Sequence, residues 1–370
     1  MSSGKLVIGL GYGDEGKGIT TDYLCKNNPI RPIVVRFSGG QQAGHNVKIG
    51  DVSHIHSNFG SGTLRGVPSY FSEHTTIYPR SMYIEHLSFL NEDVSPEVYL
   101  HPLSKITTPA DVAYNRTIEW QLNHGSCGLG VGATMTRNLT TGYKLYAIDL
   151  LYKDIFTEKV NQIHKYYINL CETTQKLKFF NEQFKKEMFL FEQAMGSLRF
   201  NIRAYDFLTE YNDIIFEGSQ GIMLDMDHGI FPHVTYANTT SKNAIEITKK
   251  LGITDIEIYY VTRSYQTRHG NGWMSNEEKL KLIHTKDEIN VFNEWQRGFR
   301  IGEIDYNLLN YALEIDNLYS QNVNKNLVVT CLDQRLDFDF EYEKLYTKFN
   351  TIYNSFSPDS KHFKVIKSKN

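Results

Sequence analysis

The sequence is poor in the features that mark a secreted, membrane-bound or nucleic-acid-coating protein. Only 4 of its 370 residues are cysteine, and Cys25, Cys127, Cys171 and Cys331 lie far apart with no Cys-x-x-Cys unit. That spacing argues against a disulfide framework or a zinc ribbon and fits reduced thiols. No apolar run is long enough to cross a bilayer, and the first residues lack the charged-then-apolar layout of a signal peptide. A cytoplasmic address is therefore expected, with no membrane partner. An excess of one charge is missing too. The formal net charge of −3 speaks against a nucleic-acid surface, yet leaves room for local basic pockets around small anions. Internal repeats and low-complexity stretches are also absent. The length suits a full core, and we expect one domain over residues 1–370, with a helical segment at about 157–200.

What the sequence does have is glycine at the ends of apolar runs. Lys5-Leu-Val-Ile-Gly-Leu-Gly-Tyr-Gly-Asp-Glu-Gly-Lys-Gly18 reads as a strand over Leu6–Leu10 that delivers the chain into Gly9, Gly11, Gly13, Gly16 and Gly18. A helix pattern over Ile19–Lys26 follows. Glycines let the main chain approach an anion, the helix start offers unpaired N–H groups, and Lys17 adds a cation. Asp14 and Glu15 are out of place in such a cradle, because carboxylates repel the anion they surround. They need a metal ion or a proton-transfer task. The loop is not a P-loop, since Gly18 stands where a Ser or Thr would hold magnesium. Gly11-x-Gly13-x-x-Gly16 fits a dinucleotide fingerprint in form, but would set both acids against a pyrophosphate. A nucleotide-phosphate and metal site is the reading that remains.

Further loops follow the same plan. A buried-strand pattern over Pro32–Phe37 runs into Ser38-Gly-Gly-Gln-Gln-Ala-Gly-His-Asn46, whose two amides and His45 suit binding and proton transfer. His54 and His56 alternate along a strand and are expected in structural or surface roles. After a helix over Ala110–Leu122 comes Gly125-Ser-Cys-Gly-Leu-Gly-Val-Gly132, where Ser126, Thr134 and Arg137 are candidate anion contacts. From Thr157 to Leu198 the spacing predicts amphipathic helices, with Ile163, Tyr167, Leu170, Phe179, Phe184, Phe189 and Phe191 in the packing. The strand from Asp213 opens into Glu217-Gly-Ser-Gln-Gly, which puts Gln220 at a carboxyl end, where parallel strands carry ligands. Strands are also expected over Asp255–Thr262 and Leu327–Asp333. The alternation predicts an α/β fold, a largely parallel central β-sheet flanked by helices.

Read together, these loops resemble the adenylosuccinate synthetase family. Its Gly-Asp-Glu-Gly-Lys-Gly stands at Gly13–Gly18, and its Gly-Gly-x-Asn-Ala-Gly-His-Thr is similar to Gly39-Gly-Gln-Gln-Ala-Gly-His-Asn46. Phe216-Glu-Gly-Ser-Gln-Gly, Leu224-Asp-Met-Asp-His-Gly-Ile-Phe-Pro-His-Val-Thr235, Thr267-Arg268, Gly270-x-Gly272 and Leu332-Asp333 follow in the family's order. The resemblance implies the family's P-loop-like nucleotide-binding architecture and a two-step ligation. GTP phosphorylates the 6-oxygen of IMP, and aspartate then displaces the phosphate. It assigns Asp14 as base and Mg²⁺ ligand, the Gly44 carbonyl as the other protein ligand, His45 as acid, and Lys17 with the first-loop residues Gly13, Glu15, Gly16 and Gly18 to the phosphates. Gln220 corresponds to a purine contact, and Gln42, Ser126, Cys127, Arg137 and Thr235 to the acceptor nucleotide, Arg137 across a homodimer interface. Asp333 corresponds to the acid that reads guanine.

The chain departs from the family pattern in places. The amine-binding Thr-Thr-Gly-Arg-x-Arg-Arg is here Glu294-Trp-Gln-Arg-Gly-Phe-Arg300, keeping Arg297 and Arg300 as carboxylate grips but placing Phe299 at an arginine position. Cys127 replaces a threonine and Cys331 a lysine. Other readings therefore stay open: a relative using another 6-oxopurine nucleotide such as dGMP, another amine, or ATP, and beyond these a non-catalytic nucleotide binder or a plain NTPase.

Overall fold

Apolar runs without a polar face belong between two helical layers. The strand Ser3–Gly9 (β1) is one, its last four residues fully enclosed. The structure is a computed structural model and describes residues 2–27, 30–122, 125–283, 298–335 and 338–367. Around β1 is built a ten-stranded sheet. To one side lie β11 (Asp255–Arg263), β14 (Asn324–Thr330), β15 (Thr351–Ser355) and β16 (Phe363–Lys367); to the other lie β10 (Asp213–Gly221), β2 (Pro32–Arg36), β5 (Ser69–Phe71), β7 (Val98–Leu100) and β9 (Asn201–Ile202). Every pairing is parallel except that of β15 with β16. The expected largely parallel sheet is thus present.

Side chains alternate between the two faces with the period of a strand. Leu6 and Ile8 point into a core shared with Ile214, Phe216, Ile258 and Tyr260, closed by the helices α7 (Lys242–Lys250) and α8 (Tyr306–Asn317). Val7 points the other way, onto Val34, Ile215, Val261 and Leu24 of α1 (Lys17–Asn27). A second core joins α2 (Pro79–Asn91), α3 (Pro109–Leu122), α5 (Lys153–Leu170) and α6 (Thr174–Ser197) through Phe89, Val112, Ile163, Phe180 and Phe191. The remaining helix, α4 (Val131–Thr140), follows the third glycine loop. Small ribbons complete the fold: β3 (His45–Ile49) with β4 (Val52–His56), β6 (Thr76–Ile77) with β8 (Lys105–Ile106), and β12 (Gln266–His269) with β13 (Phe299–Gly302).

Two packing expectations are corrected. Leu170, the last residue of α5, is 37% exposed because the buried positions of that helix are Phe156, Ile163 and Tyr167. Phe189 is 66% exposed, because the buried stripe of α6 runs through Phe180, Gln183, Glu187, Phe191 and Ala194 and leaves Phe189 on the opposite side. Gln183 and Glu187 take core positions since Glu187 pairs with Arg116 and Arg80 and accepts from the Tyr78 hydroxyl. On β4, His54 stacks on Phe89 and His56 packs against the same ring at a tilt, in keeping with structural roles. Because β1, β10, β11 and β14 run in parallel, their carboxyl ends share one edge, and the glycine loops gather there.

Candidate active site

The first loop leaves β1 with three demands on the backbone within four residues: φ is +102° at Gly13, +60° at Asp14 and +99° at Gly16. Asp14 is the residue in this set that has a Cβ to accommodate, and that strain has to be held by surroundings. A consequence of the turn is that the two adjacent acids separate. Glu15 folds back beneath the loop, 3% exposed. Its Oε1 accepts from the Gly11 N–H (3.0 Å) and the Gly13 N–H (2.8 Å), and its Oε2 pairs with Lys17 Nζ at 2.5 Å. A Cβ at Gly9 or Gly221 would come within 2.3 Å of that carboxylate, so these two glycines make room for Glu15. Glu15 is thus an internal counter-ion for Lys17 and for loop N–H groups.

Asp14 faces outward instead. His269 Nε2 lies 3.0 Å from its Oδ2, and the Arg263 side chain donates to its carbonyl. Burial works to raise this carboxyl, but the hydrogen bond and charge of His269, with Arg263 and Lys17 behind, hold it below the usual range. An ionised carboxylate results, suited to taking a proton or a hard cation.

The second loop delivers His45 onto α1, where a Cβ on Gly18 would lie 2.7 Å from that of His45. His45 Nδ1 is 2.7 Å from Glu217 Oε1, with Glu217 fully buried on β10. Ser61 donates to the same carboxylate through its N–H (3.1 Å) and its hydroxyl. Burial favours the neutral acid here; His45 outweighs it, Arg36 and Ser61 assist, and Glu217 is held down at about 2. The other ring nitrogen of His45, Nε2, is buried without a protein partner, as are both amide atoms of Gln42. Buried polar atoms left this way are uncommon, and both of these side chains line the cavity described below.

In the third loop the chain itself satisfies much of the backbone. Glu119 of α3 accepts from the N–H groups of Gly125 (2.5 Å) and Ser126 (3.2 Å), while Asn115 accepts from Gly130 (3.1 Å). Arg137 is similarly engaged. It donates to both oxygens of Asp111 (2.8 and 3.0 Å) and to the carbonyls of Ile106 and Tyr143, with its side chain wholly enclosed. A phosphate would have to displace Asp111 to reach it.

A cavity of about 790 Å³ opens over these loops, within the range of small-molecule sites. Gly13 and Asp14 of the first loop, and Gln42, Gly44 and His45 of the second, line one wall. Ser126, Cys127 and Arg137 line another, and Gln220 and Thr235 a third. Glu15, Gly16, Lys17 and Gly18 lie outside that lining, as does Asp333, in the short helix after β14. Arg300 sits in β13 with its guanidinium on the Gly270 and Gly272 carbonyls (3.0 and 2.8 Å) and on Glu277 (2.8 Å). Arg297 lies outside the described residues.

Three residues that bear on this site were not among the sequence candidates. Glu217 carried a signal, an acid in an otherwise apolar strand. His269 sat within the Thr267–Gly272 match but gave no hint of its partner, and Glu119 is an ordinary helix acid until its loop folds over it. Among the described residues no cluster of three or more His, Cys, Asp or Glu side chains forms a metal cage. A hard cation sharing its shell with phosphate oxygens needs less: the Asp14 carboxylate and the exposed main chain at Gly44 on the cavity wall fit that donor set.

Known proteins fit this arrangement. The family model described as adenylosuccinate synthetase matches residues 6–366. An adenylosuccinate synthetase of Clostridium botulinum is 29% identical over 354 residues, covering 87% of this chain and 77% of the relative. That of Thermoplasma volcanium is 29% identical over 325 residues, covering 85% and 73%. Among solved structures, the fully ligated adenylosuccinate synthetase of Plasmodium falciparum superposes with a TM-score of 0.68 at 19% identity, over 98% of this chain and 87% of that one. The cyanophage S-2L succinoaminodeoxyadenylate synthetase, bound to dGMP and dATP as an energy donor, gives 0.64 at 15% identity, over 100% and 96%. With its glycine loops, its paired acids and the family match running nearly end to end, the chain belongs to the adenylosuccinate synthetase family, carbon–nitrogen ligases of purine biosynthesis.

Proposed function

We propose that the protein catalyses GTP-dependent ligation of L-aspartate to IMP, yielding adenylosuccinate, GDP and phosphate. The observation that supports this best is the meeting, on one cavity, of the ionised Asp14, a His45 whose Nε2 lacks a protein partner, and the unpaired amide of Gln42. A purine lactam oxygen is a poor nucleophile until N1 is deprotonated. Asp14 takes that proton, and the 6-oxygen then attacks the γ-phosphorus while the bond to the β-phosphate oxygen breaks. As an imidazolium, His45 donates Nδ1–H to Glu217 and Nε2–H toward the oxygens that gain charge. The aspartate amine next attacks C6, phosphate departs with the C6–O electrons, and the amine loses a proton. Mg²⁺, when bound by Asp14 and the Gly44 carbonyl, supplies charge neutralisation on the phosphates.

Gln220 contacts the purine, Thr235 and the third loop hold its phosphate, and Asp333 reads the guanine edge. Lys17 serves the donor phosphates from its buried position behind the loop. Arg300 and Arg297 grip the aspartate carboxylates; for Arg300 this exchanges the Glu277 carboxylate for that of the substrate, which conserves charge. The enzyme acts in the cytoplasm as a homodimer.

One observation favours a second reading. Phe299, at an arginine position of the family pattern, packs its ring on His269, 4.9 Å between centres, beside Asp14. That replaces a cationic grip by an apolar contact, and a different acceptor, such as dGMP with ATP as donor, would be compatible with it. The test is a matrix of IMP, dIMP, GMP and dGMP against aspartate and other amines, with GTP or ATP, read by phosphate release and product mass. Hydrolysis without any 6-substituted purine would refute the ligase reading. Asp14→Asn should abolish product while nucleotide binding persists; near-normal turnover would remove Asp14 as the base.

A further inference from the structure

Asp14 holds a left-handed backbone conformation that L residues avoid. Glu15 holds the Gly13 N–H from below, and further contacts to residues 12–14 come from one stretch of chain, 263–269. Arg263 Nε donates to the Asp14 carbonyl. The Thr267 hydroxyl donates to the Gly13 carbonyl at 3.4 Å. The Arg268 guanidinium lies 4.4 Å from the centre of the Tyr12 ring. His269, with Nε2 at 3.0 Å from Oδ2, is the member of this set that reaches the Asp14 carboxylate itself.

His269 is in turn fixed from outside. It ends β12 opposite Phe299 of β13, in the same ribbon that pairs Arg268 with Arg300. Its ring packs on Phe299 at an interplanar angle of 47°. The imidazole is half-buried and lines the cavity, so it belongs to the wall of the site and not to the core.

We infer that His269 is a positioning residue for Asp14: its Nε2–H holds Oδ2, with Phe299 bracing the ring, and leaves Oδ1 to receive the purine proton. The inference rests on Asp14 being the base, as proposed above. The carboxylate torsion is broad and roughly two-fold, so a side chain tethered only by its backbone samples orientations in which neither lone pair faces N1. A donor on one oxygen removes those orientations before substrate arrives, and misplacement of a reacting group by about 1 Å can cost about 100-fold in rate. The ribbon that carries Arg300 thereby also sets the geometry of proton removal, so substitutions in the amine-binding arm reach the first chemical step through Phe299 and His269.

The experiment compares wild type with His269→Leu, His269→Gln and His269→Asn under the nucleotide and amine pair that the wild type turns over. We expect His269→Leu to lower kcat about 10- to 100-fold with the KM of the purine nucleotide near wild type. His269→Gln, whose terminal amide N–H reaches about as far as Nε2–H, should recover most of kcat; His269→Asn, one bond shorter, should not. Melting temperature and nucleotide binding of each variant establish that it is folded. Wild-type kcat in His269→Leu, or parallel losses in kcat and KM that Gln does not rescue, would refute the inference. Should the Leu variant not fold, equal activities of the Gln and Asn variants would refute it equally. A wild type that forms no 6-substituted purine would instead overturn the assignment of Asp14 as base, a separate result.

Discussion

Glu217 offers the sharpest test of how this site is assembled. Its carboxylate is fully buried, lies 2.7 Å from His45 Nδ1, and is held at about 2 from an ordinary value of 4.5. At about 1.4 kcal/mol per pKa unit, that displacement corresponds to about 3 kcal/mol of interaction favouring the ionised form in the folded protein. Because the folded value lies below the unfolded one, this stabilisation is present above pH 4.5 and is lost as pH falls toward about 2. Glu217→Gln keeps the shape and a hydrogen-bond acceptor but removes the charge. Denaturant unfolding followed from neutral pH down to about pH 3 should therefore lose stability less steeply in the variant than in wild type. A cycle with His45→Asn separates the pair from its surroundings: most of the Glu217→Gln effect should vanish when His45 is already replaced, a coupling of about 1.5–3 kcal/mol. Turnover should fall in Glu217→Gln with little change in the KM of either nucleotide, since the carboxylate sits behind His45. Unchanged acid unfolding, or fully additive single variants, would refute the pairing of His45 with Glu217 as the origin of the shift.

Two further substitutions separate structure from binding elsewhere. Arg137→Met leaves Asp111 buried and unpaired, and should cost about 3–5 kcal/mol of stability, with partial recovery in the double variant carrying Asp111→Asn. A small stability loss with a large rise in nucleotide KM would instead assign Arg137 to the ligand. His56, buried and pushed down to about 4 from 6.5 by desolvation, is neutral in the fold and charged in the unfolded chain at mildly acidic pH. Its contribution is present above pH 6.5 and lost as pH falls through about 4, so at pH 5 wild type should have given up about 2 kcal/mol that His56→Gln does not lose. Equal pH slopes between pH 7 and 5 in the two proteins would contradict this.

The fold was legible because its signals are local. Leu6–Leu10, Pro32–Phe37, Asp213–Glu217 and Asp255–Thr262 are short apolar runs ending in glycine or polar loops, and parallel strands buried on both faces have to look that way. The helix over 110–122 and the helical segment at about 157–200 followed from spacing of apolar residues alone, the first helix of that segment starting earlier, at Lys153. Phe189 misled because composition says aromatic while the stripe is set by Glu187, whose burial depends on arginines from α2 and α3 far off in sequence. Within the site, the loop residues that stood in motifs could be named, and of these Asp14, Gln42, His45, Gln220 and Thr235 line the cavity. Their supports could not. Glu217, Glu119 and His269 act through partners 172, about six and 255 residues away, and only Glu217 left a trace, as a charge in a strand.

The paired acids of the first loop illustrate the same division at its smallest scale. In sequence Asp14 and Glu15 look alike and look misplaced. The left-handed turn at Asp14 sends consecutive side chains to opposite sides of the loop, and the two then meet different surroundings. Glu15 enters a space opened by Gly9 and Gly221 and neutralises Lys17. That ion pair allows Lys17 to be buried at the start of α1 without an unbalanced charge. Asp14, deprived of Lys17 as its immediate partner, is held ionised from the other side by His269 of β12 and Arg263 of β11. A carboxylate can serve as base beside phosphates only if its own loop does not neutralise it first. Giving Lys17 to Glu15 meets that condition, and it explains why two acids in succession are required where one would repel the anion less.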